Sequence, residues 1–369
     1  MSAISKKTSK LADGRDLFYF DDAGSSLGAD RKADLRNLGD RPAVAEMRLD
    51  SLTGEWISVA AARHNRAFLP PANQCPLCPT TAGNQSELPD NFDVAVFENK
   101  SPSFGPDLLN TDDENFTVVP NLELGSKRPS IGRCEVVVFS PEHLGSLSQM
   151  PVSRVRTVIE AWADRTEHLM SLPGVRQVFP FENRGEAIGV TLHHPHGQIY
   201  AYSYIPPRVE KMLEAATKYK ASTGKVLFDE VVAREIGEEE RIMARNDRWI
   251  AFVPYAARYP FEIHVAPLNP VADLTGLTDQ DRDAFAPIAL EVMKRLDGVF
   301  GIEMAYIAAW HQAPVRVGRD VLRLHWQITS VRRAPGKLKY LAGSESAMGA
   351  FIMDMRPEQS AAQLREVVL

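Results

Sequence analysis

His193-His194-Pro195-His196-Gly197-Gln198, running on into Ile199-Tyr200-Ala201-Tyr202-Ser203-Tyr204, is the stretch from which the rest of the chain can be read. The second part is rich in β-branched and aromatic residues and predicts a strand. Alternate residues of a strand point to one face. Taken as extended chain, His194, His196 and Gln198 therefore share a face. That face offers a metal ligand, a nucleophile and a hydrogen-bonding amide. Gly197 between them is expected to let a phosphate approach the backbone closely. The plainer alternative is a polar loop of hydrogen-bonded histidines. Three histidines and a glutamine packed into six residues favour a working site over that alternative.

Outward from this motif the chain repeats itself. A strand at Glu135-Val136-Val137-Val138-Phe139 is followed by a helix from about Pro151. Val152, Val155, Val158, Ile159, Trp162 and Leu169 lie on one side of that helix. A strand at Arg176-Gln177-Val178-Phe179 then precedes the histidine motif. The second copy begins at Glu262-Ile263-His264-Val265-Ala266-Pro267. It continues with a helix from about Thr278, carrying Phe285, Ile288, Val292, Leu296 and Val299. A strand at Met304-Ala305-Tyr306-Ile307-Ala308 leads to Leu324-His325-Trp326-Gln327-Ile328. His-x-Gln recurs at His325 and Gln327, but only the first copy has His-Pro ahead of it. The alternative is a chance match of two strand–helix–strand units.

The predicted fold class is α/β of the α+β type. Two similar halves are each a mostly antiparallel sheet with helices on one side, joined into one extended sheet or half-barrel. The expected division is an N-terminal extension at 1–45, a first half at 46–205, linking helices at 206–250, a second half at 251–345 and a tail at 346–369. Within the linker, helices are predicted at about 207–221 and 228–246.

Composition narrows the class of function. The chain has 369 residues, 44% hydrophobic and 24% charged, with a net charge of −6. An acidic balance argues against a nucleic-acid binder, which needs cations for the phosphate backbone. No apolar run approaches the roughly 20 residues that span a bilayer. The polar first ten residues lack an apolar leader segment, so a cytoplasmic location is expected. Three cysteines cannot form a disulfide framework, and a metal or thiol role fits better.

Cys75-Pro76-Leu77-Cys78 has the spacing of a zinc knuckle, in a loop rich in Pro, Asn and Gly at 69–91. A tetrahedral site needs two more ligands, for which His143 and His194 are the best candidates. The alternative for this pair is two packed thiols; Cys134, within a strand, is expected to be a buried hydrophobe. A zinc here would be structural and would fix the geometry of His196. His196 is the candidate nucleophile, because a neutral imidazole nitrogen can attack phosphorus to form a phosphoramidate. Gln198 cannot act as acid or base, but it can donate to a phosphate oxygen. Arg63 and Arg66 could clamp phosphates, and Asn183 could meet a phosphate or a ribose.

His194-Pro195-His196-Gly197-Gln198-Ile199-Tyr200-Ala201 resembles the active-site motif of the galactose-1-phosphate uridylyltransferase family, the His-Pro-His-Gly-Gln branch of the histidine-triad superfamily. Supporting matches include Asp50-Ser51-Leu52-Thr53-Gly54-Glu55-Trp56, Phe97-Glu98-Asn99-Lys100, Phe181-Glu182-Asn183, Trp310-His311-Gln312-Ala313-Pro314 and Lys339-Tyr340-Leu341-Ala342-Gly343-Ser344-Glu345. The resemblance implies ping-pong transfer of UMP from UDP-glucose to galactose 1-phosphate through uridylyl-His196. It implies one structural zinc on Cys75, Cys78, His143 and His194. It implies nucleotide binding by Arg63, Arg66, Asn99, Asn183 and Gln198, with Lys339 and Glu345 near the hexose across a homodimer interface. The alternative within the superfamily is a nucleoside-diphosphate-sugar or dinucleotide phosphorylase, using the same adduct with phosphate as acceptor. Some members carry a second metal on one Glu and three His. His311 matches that set and Glu210 is a further candidate, but Thr329 and Val331 occupy the other two positions, so no second metal is expected. Leu192 stands where the family has a small polar residue, and Ser344 where it has an aromatic one.

Overall fold

The structure is a computed structural model that describes residues 3–39, 41, 45–61, 64, 68–105 and 124–369. Its strands up to Ser330, in chain order, are β1 (Ser5–Lys10), β2 (Asp16–Asp21), β3 (Glu46–Asp50), β4 (Glu55–Val59), β5 (Val94–Glu98), β6 (Lys127–Pro129), β7 (Gly132–Val138), β8 (Gln177–Arg184), β9 (His196–Tyr202), β10 (Ile242–Arg245), β11 (Trp249–Phe252), β12 (Phe261–Pro267), β13 (Tyr306–His311) and β14 (His325–Ser330). The main helices are α1 (Val152–Ser171), α2 (Pro207–Thr223), α3 (Leu227–Glu238) and α4 (Asp279–Gly298). Eleven strands form one sheet in the order β1-β2-β5-β7-β9-β8-β13-β14-β12-β11-β10. Every pairing within it is antiparallel.

The repeat is present in three dimensions. The units β7-α1-β8-β9 and β12-α4-β13-β14 meet where β8 pairs with β13, with Asn183 opposite Ile307. One core spans both. Trp162 of α1, Phe285 of α4, Trp249, Trp310 and Trp326 form a chain of ring contacts, with centroids 5.0–6.2 Å apart. These five side chains are almost entirely removed from water. Burial on this scale dominates the stabilisation of both halves and locks them together. α4 starts at a Thr278/Asp281 capping box, which satisfies two of its free backbone N–H groups.

Residues 5–21 extend the main sheet as β1 and β2. Leu17, Phe18, Tyr19 and Phe20 are buried on alternate faces, and the Lys-rich β1 shields the edge. The predicted helix over 228–246 ends earlier, at Glu238. Glu239 takes φ 57°, and the apolar pair Ile242-Met243 enters edge strand β10. The linker helices cross to the sheet face opposite α1 and α4. There Phe228, Val231 and Val232 of α3 pack on Ile250, Phe252 and Ala266. A helix on that side buries apolar positions that strand alternation would otherwise leave wet. Among the described residues, no helix is long and apolar enough to cross a membrane.

Candidate active site

Strand β9 begins at His196. Along it, Gly197, Ile199 and Ala201 are buried under α1, whereas His196, Gln198, Tyr200 and Tyr202 are half-buried on the opposite face. Only His196 and Gln198 of the expected trio share that face. His194 precedes the strand, and its ring turns away into the cysteine loop. Pro195 separates the two histidines, so strand alternation does not reach back to His194. Gly197 also has a different reason from the one expected. A Cβ there would lie 2.8 Å from Phe181 O and 2.9 Å from Phe139 Cζ, so the close approach is made by the protein's own core.

His194 is fully buried, and its Nε2–H donates to Ser140 O at 2.7 Å. That bond leaves the Nδ1 lone pair facing the thiols, 3.5 Å from Cys78 Sγ and 3.8 Å from Cys75 Sγ. His143 Nδ1 lies 3.5 Å from Cys78 Sγ. All four donor atoms lie within 4.8 Å of one another. Two thiolates and two imidazoles around one zinc, with bonds of roughly 2.3 and 2.05 Å, give S···N edges of about 3.5 Å. The donor set, its spacing and the fixed His194 tautomer therefore fit a metal. Without a cation, burial pushes the Cys78 thiol up to about 12 and holds His194 down at about 4. Both sites are thus neutral, and binding a cation releases the thiol protons.

His194 also faces His196 through its backbone. His196 Nδ1–H donates to His194 O at 2.7 Å, which leaves the Nε2 lone pair uncommitted. Burial lowers the His196 pKa below its ordinary value, and the charge of Arg184 adds to this, so the ring is neutral at pH 7. His196, Asn183, Arg184, His193 and His194 line one cleft of about 300 Å³. Asn183 is thus brought beside His196 by β8, whose Glu182 pairs with Gly197.

Other expected residues lie elsewhere. Asn99 follows β5, two strands away from β9, and its Oδ1 accepts from Ser101 N at 2.9 Å in a local turn. Lys339 and Glu345 are buried against each other as an ion pair and do not line this cleft. Arg63 and Arg66 fall outside the described residues.

The cleft contains groups that the sequence analysis missed. Arg184 donates to His193 O at 3.2 Å and to Glu303 of the second half at 2.6 Å. It braces the histidine loop against the other half. Glu182 accepts from Tyr306 O–H at 3.0 Å, and burial pushes its carboxyl up to about 7. Phe181-Glu182-Asn183-Arg184 was legible as a strand end, but partners on another half are not encoded by local spacing.

The fold and the site together describe two repeated strand–helix–strand units in one sheet; among the described residues, the candidate metal cluster and the His194-Pro195-His196 sequence lie in the first unit. Comparison with known proteins narrows this further. The family model for the galactose-1-phosphate uridyl transferase N-terminal domain matches residues 37–206, and the model for its C-terminal domain matches 212–368. A galactose-1-phosphate uridylyltransferase of Streptomyces lividans is 39% identical, over 98% of both chains. A solved uridylyltransferase superposes with a TM-score of 0.75 at 32% identity, covering 87% of this chain and 98% of that one. An ADP-glucose phosphorylase of Arabidopsis thaliana, at 23% identity and a TM-score of 0.67 over 88% of this chain and 99% of that one, shares the fold. The chain belongs to the galactose-1-phosphate uridylyltransferase family.

Proposed function

We infer that the protein transfers UMP from UDP-glucose to galactose 1-phosphate by a ping-pong route, with His196 as the covalent carrier. UMP transfer in galactose metabolism is the family activity, and the protein is an enzyme of that type. The observation that carries the residue assignment is the His196 Nδ1–H bond to His194 O, because it supports a free lone pair on Nε2. In the first half-reaction Nε2 bonds to the α-phosphorus, and the bond to the bridging oxygen breaks. The electron pair leaves with glucose 1-phosphate, which needs no added proton. The ring is then cationic, and the His194 carbonyl stabilises that charge. In the second half-reaction a phosphate oxygen of galactose 1-phosphate attacks the same phosphorus, and the N–P electron pair returns to His196. Gln198 donates to a non-bridging oxygen in both directions.

Cys75, Cys78, His143 and His194 would hold a single zinc, whose chemistry is a structural crosslink that fixes the histidine loop. Arg63, Arg66, Asn99 and Asn183 bind the nucleotide in this reading. Lys339 and Glu345 reach the hexose of a partner subunit in a cytoplasmic homodimer. Residues 46–205 and 251–345 are the two halves, joined by 206–250. Initial rates with both substrates varied test the route. Parallel double-reciprocal lines are expected, with galactose 1-phosphate required as acceptor. Efficient turnover with inorganic phosphate in its place would assign a phosphorylase instead.

A further inference from the structure

We propose that Tyr200 is a positioning residue that holds the Gln198 amide with its NH2 group toward the sheet face it shares with His196, beside but not lining the 300 Å³ cleft. The proposal rests on the reading of Gln198 as the phosphate donor. Tyr200 sits two residues beyond Gln198 on the same strand face, and its hydroxyl donates to Gln198 Oε1 at 3.3 Å. An amide has one accepting and one donating end, and a half-turn about its last bond exchanges them. With no partner the two orientations are close in energy, and one of them would turn an oxygen lone pair toward a phosphate. Pinning Oε1 removes that orientation. Among the described residues, no hydrogen bond engages Gln198 Nε2.

The tyrosine is itself held in place. Its ring packs edge-on against Phe181 at 5.0 Å and 90°, Phe104 at 5.7 Å and 66°, and Tyr202 at 6.0 Å and 75°. A hydroxyl so fixed is a preorganised donor rather than a swinging one. The second half supplies an internal comparison. Gln327 occupies the repeat position, but Arg208 Nη2 donates to its Oε1 at 3.2 Å and its Nε2 donates to Glu262. Both ends of that amide are consumed under the linker helices. The repeat that keeps one end of its glutamine open is the one that carries the His-Pro-His sequence.

The test is a double-mutant cycle in the full-length enzyme, with UDP-glucose and galactose 1-phosphate as substrates. Tyr200→Phe keeps the ring and its aromatic contacts and removes only the hydroxyl. It is expected to lower kcat about fivefold, the worth of one hydrogen bond, with less than about a twofold change in KM for UDP-glucose. In a Gln198→Ala background the same substitution is expected to change kcat by less than about 1.5-fold. Tyr202→Phe, whose hydroxyl does not reach Gln198, is expected to leave kcat at the wild-type level. An equal loss from Tyr200→Phe with and without Gln198 would overturn the proposal, as would no loss at all in the wild-type background. A Gln198→Ala enzyme with full kcat would instead overturn the underlying reading of Gln198.

Discussion

Replacing His196 with Asn is expected to abolish turnover while leaving UDP-glucose binding nearly intact. In this reading His196 supplies the nitrogen lone pair for phosphorus: its Nδ1–H is fixed on the His194 carbonyl and its Nε2 is left uncommitted, whereas His194 commits its own nitrogens to Ser140 and to the thiol cluster. Loss of a covalent carrier costs on the order of ten-thousand-fold or more in kcat. Binding draws on contacts spread along the nucleotide, so the dissociation constant is expected to stay within about tenfold of wild type. Asn is the sharpest choice, because its amide can still donate to the His194 carbonyl and keep the loop in place. Steady-state rates and calorimetric titration with UDP-glucose read the two quantities separately. A His196→Asn enzyme that retained more than about a hundredth of wild-type kcat would assign the chemistry to another group.

The second large effect is expected at the metal cluster. Cys75→Ser should lower the metal content below one ion per chain by elemental analysis. It should also lower the melting temperature and reduce kcat by on the order of a hundredfold. The reason is geometric. One residue, His194, gives its ring to the cluster and its carbonyl to His196, so slack in the first becomes misorientation in the second. The same linkage sets a pH dependence. Burial pushes the Cys78 thiol up to about 12 in the absence of a cation, and binding requires the thiolate. Metal affinity should therefore fall as pH falls, and chelators should strip the protein faster at pH 5.5 than at pH 8. A Cys75→Ser protein with full activity and no bound metal would contradict this coupling.

Much of this site was legible in the chain because its signals are local. The spacing Cys75-x-x-Cys78, the crowding of His194 and His196, and the alternation that puts Gln198 beside His196 are all read within a few residues. The tandem units were legible for the same reason, as apolar alternation and helical periodicity recur 129 positions apart, from His196 to His325. What was missed depends on contacts between segments far apart. The turn at Pro195 that sends the His194 ring out of the strand face is set by Ser140, 54 residues earlier. Glu182 meets Tyr306, and Arg184 meets Glu303, only because β8 pairs with β13. His264, His311 and His325 gather on one face of the second half, a grouping that the sequence reading did not make. That face is roofed by the linker, with Phe228 stacked on His325 at 4.6 Å.

The central claim is that His196 carries the uridylyl group, and intact-mass analysis tests it most directly. The purified protein is mixed with UDP-glucose alone and quenched under alkaline conditions, because a phosphoramidate is acid-labile. The account predicts a mass increase of one UMP per chain, mapped to His196 and discharged by galactose 1-phosphate. An enzyme that turns over both substrates yet forms no adduct, or forms one on another residue, would contradict it.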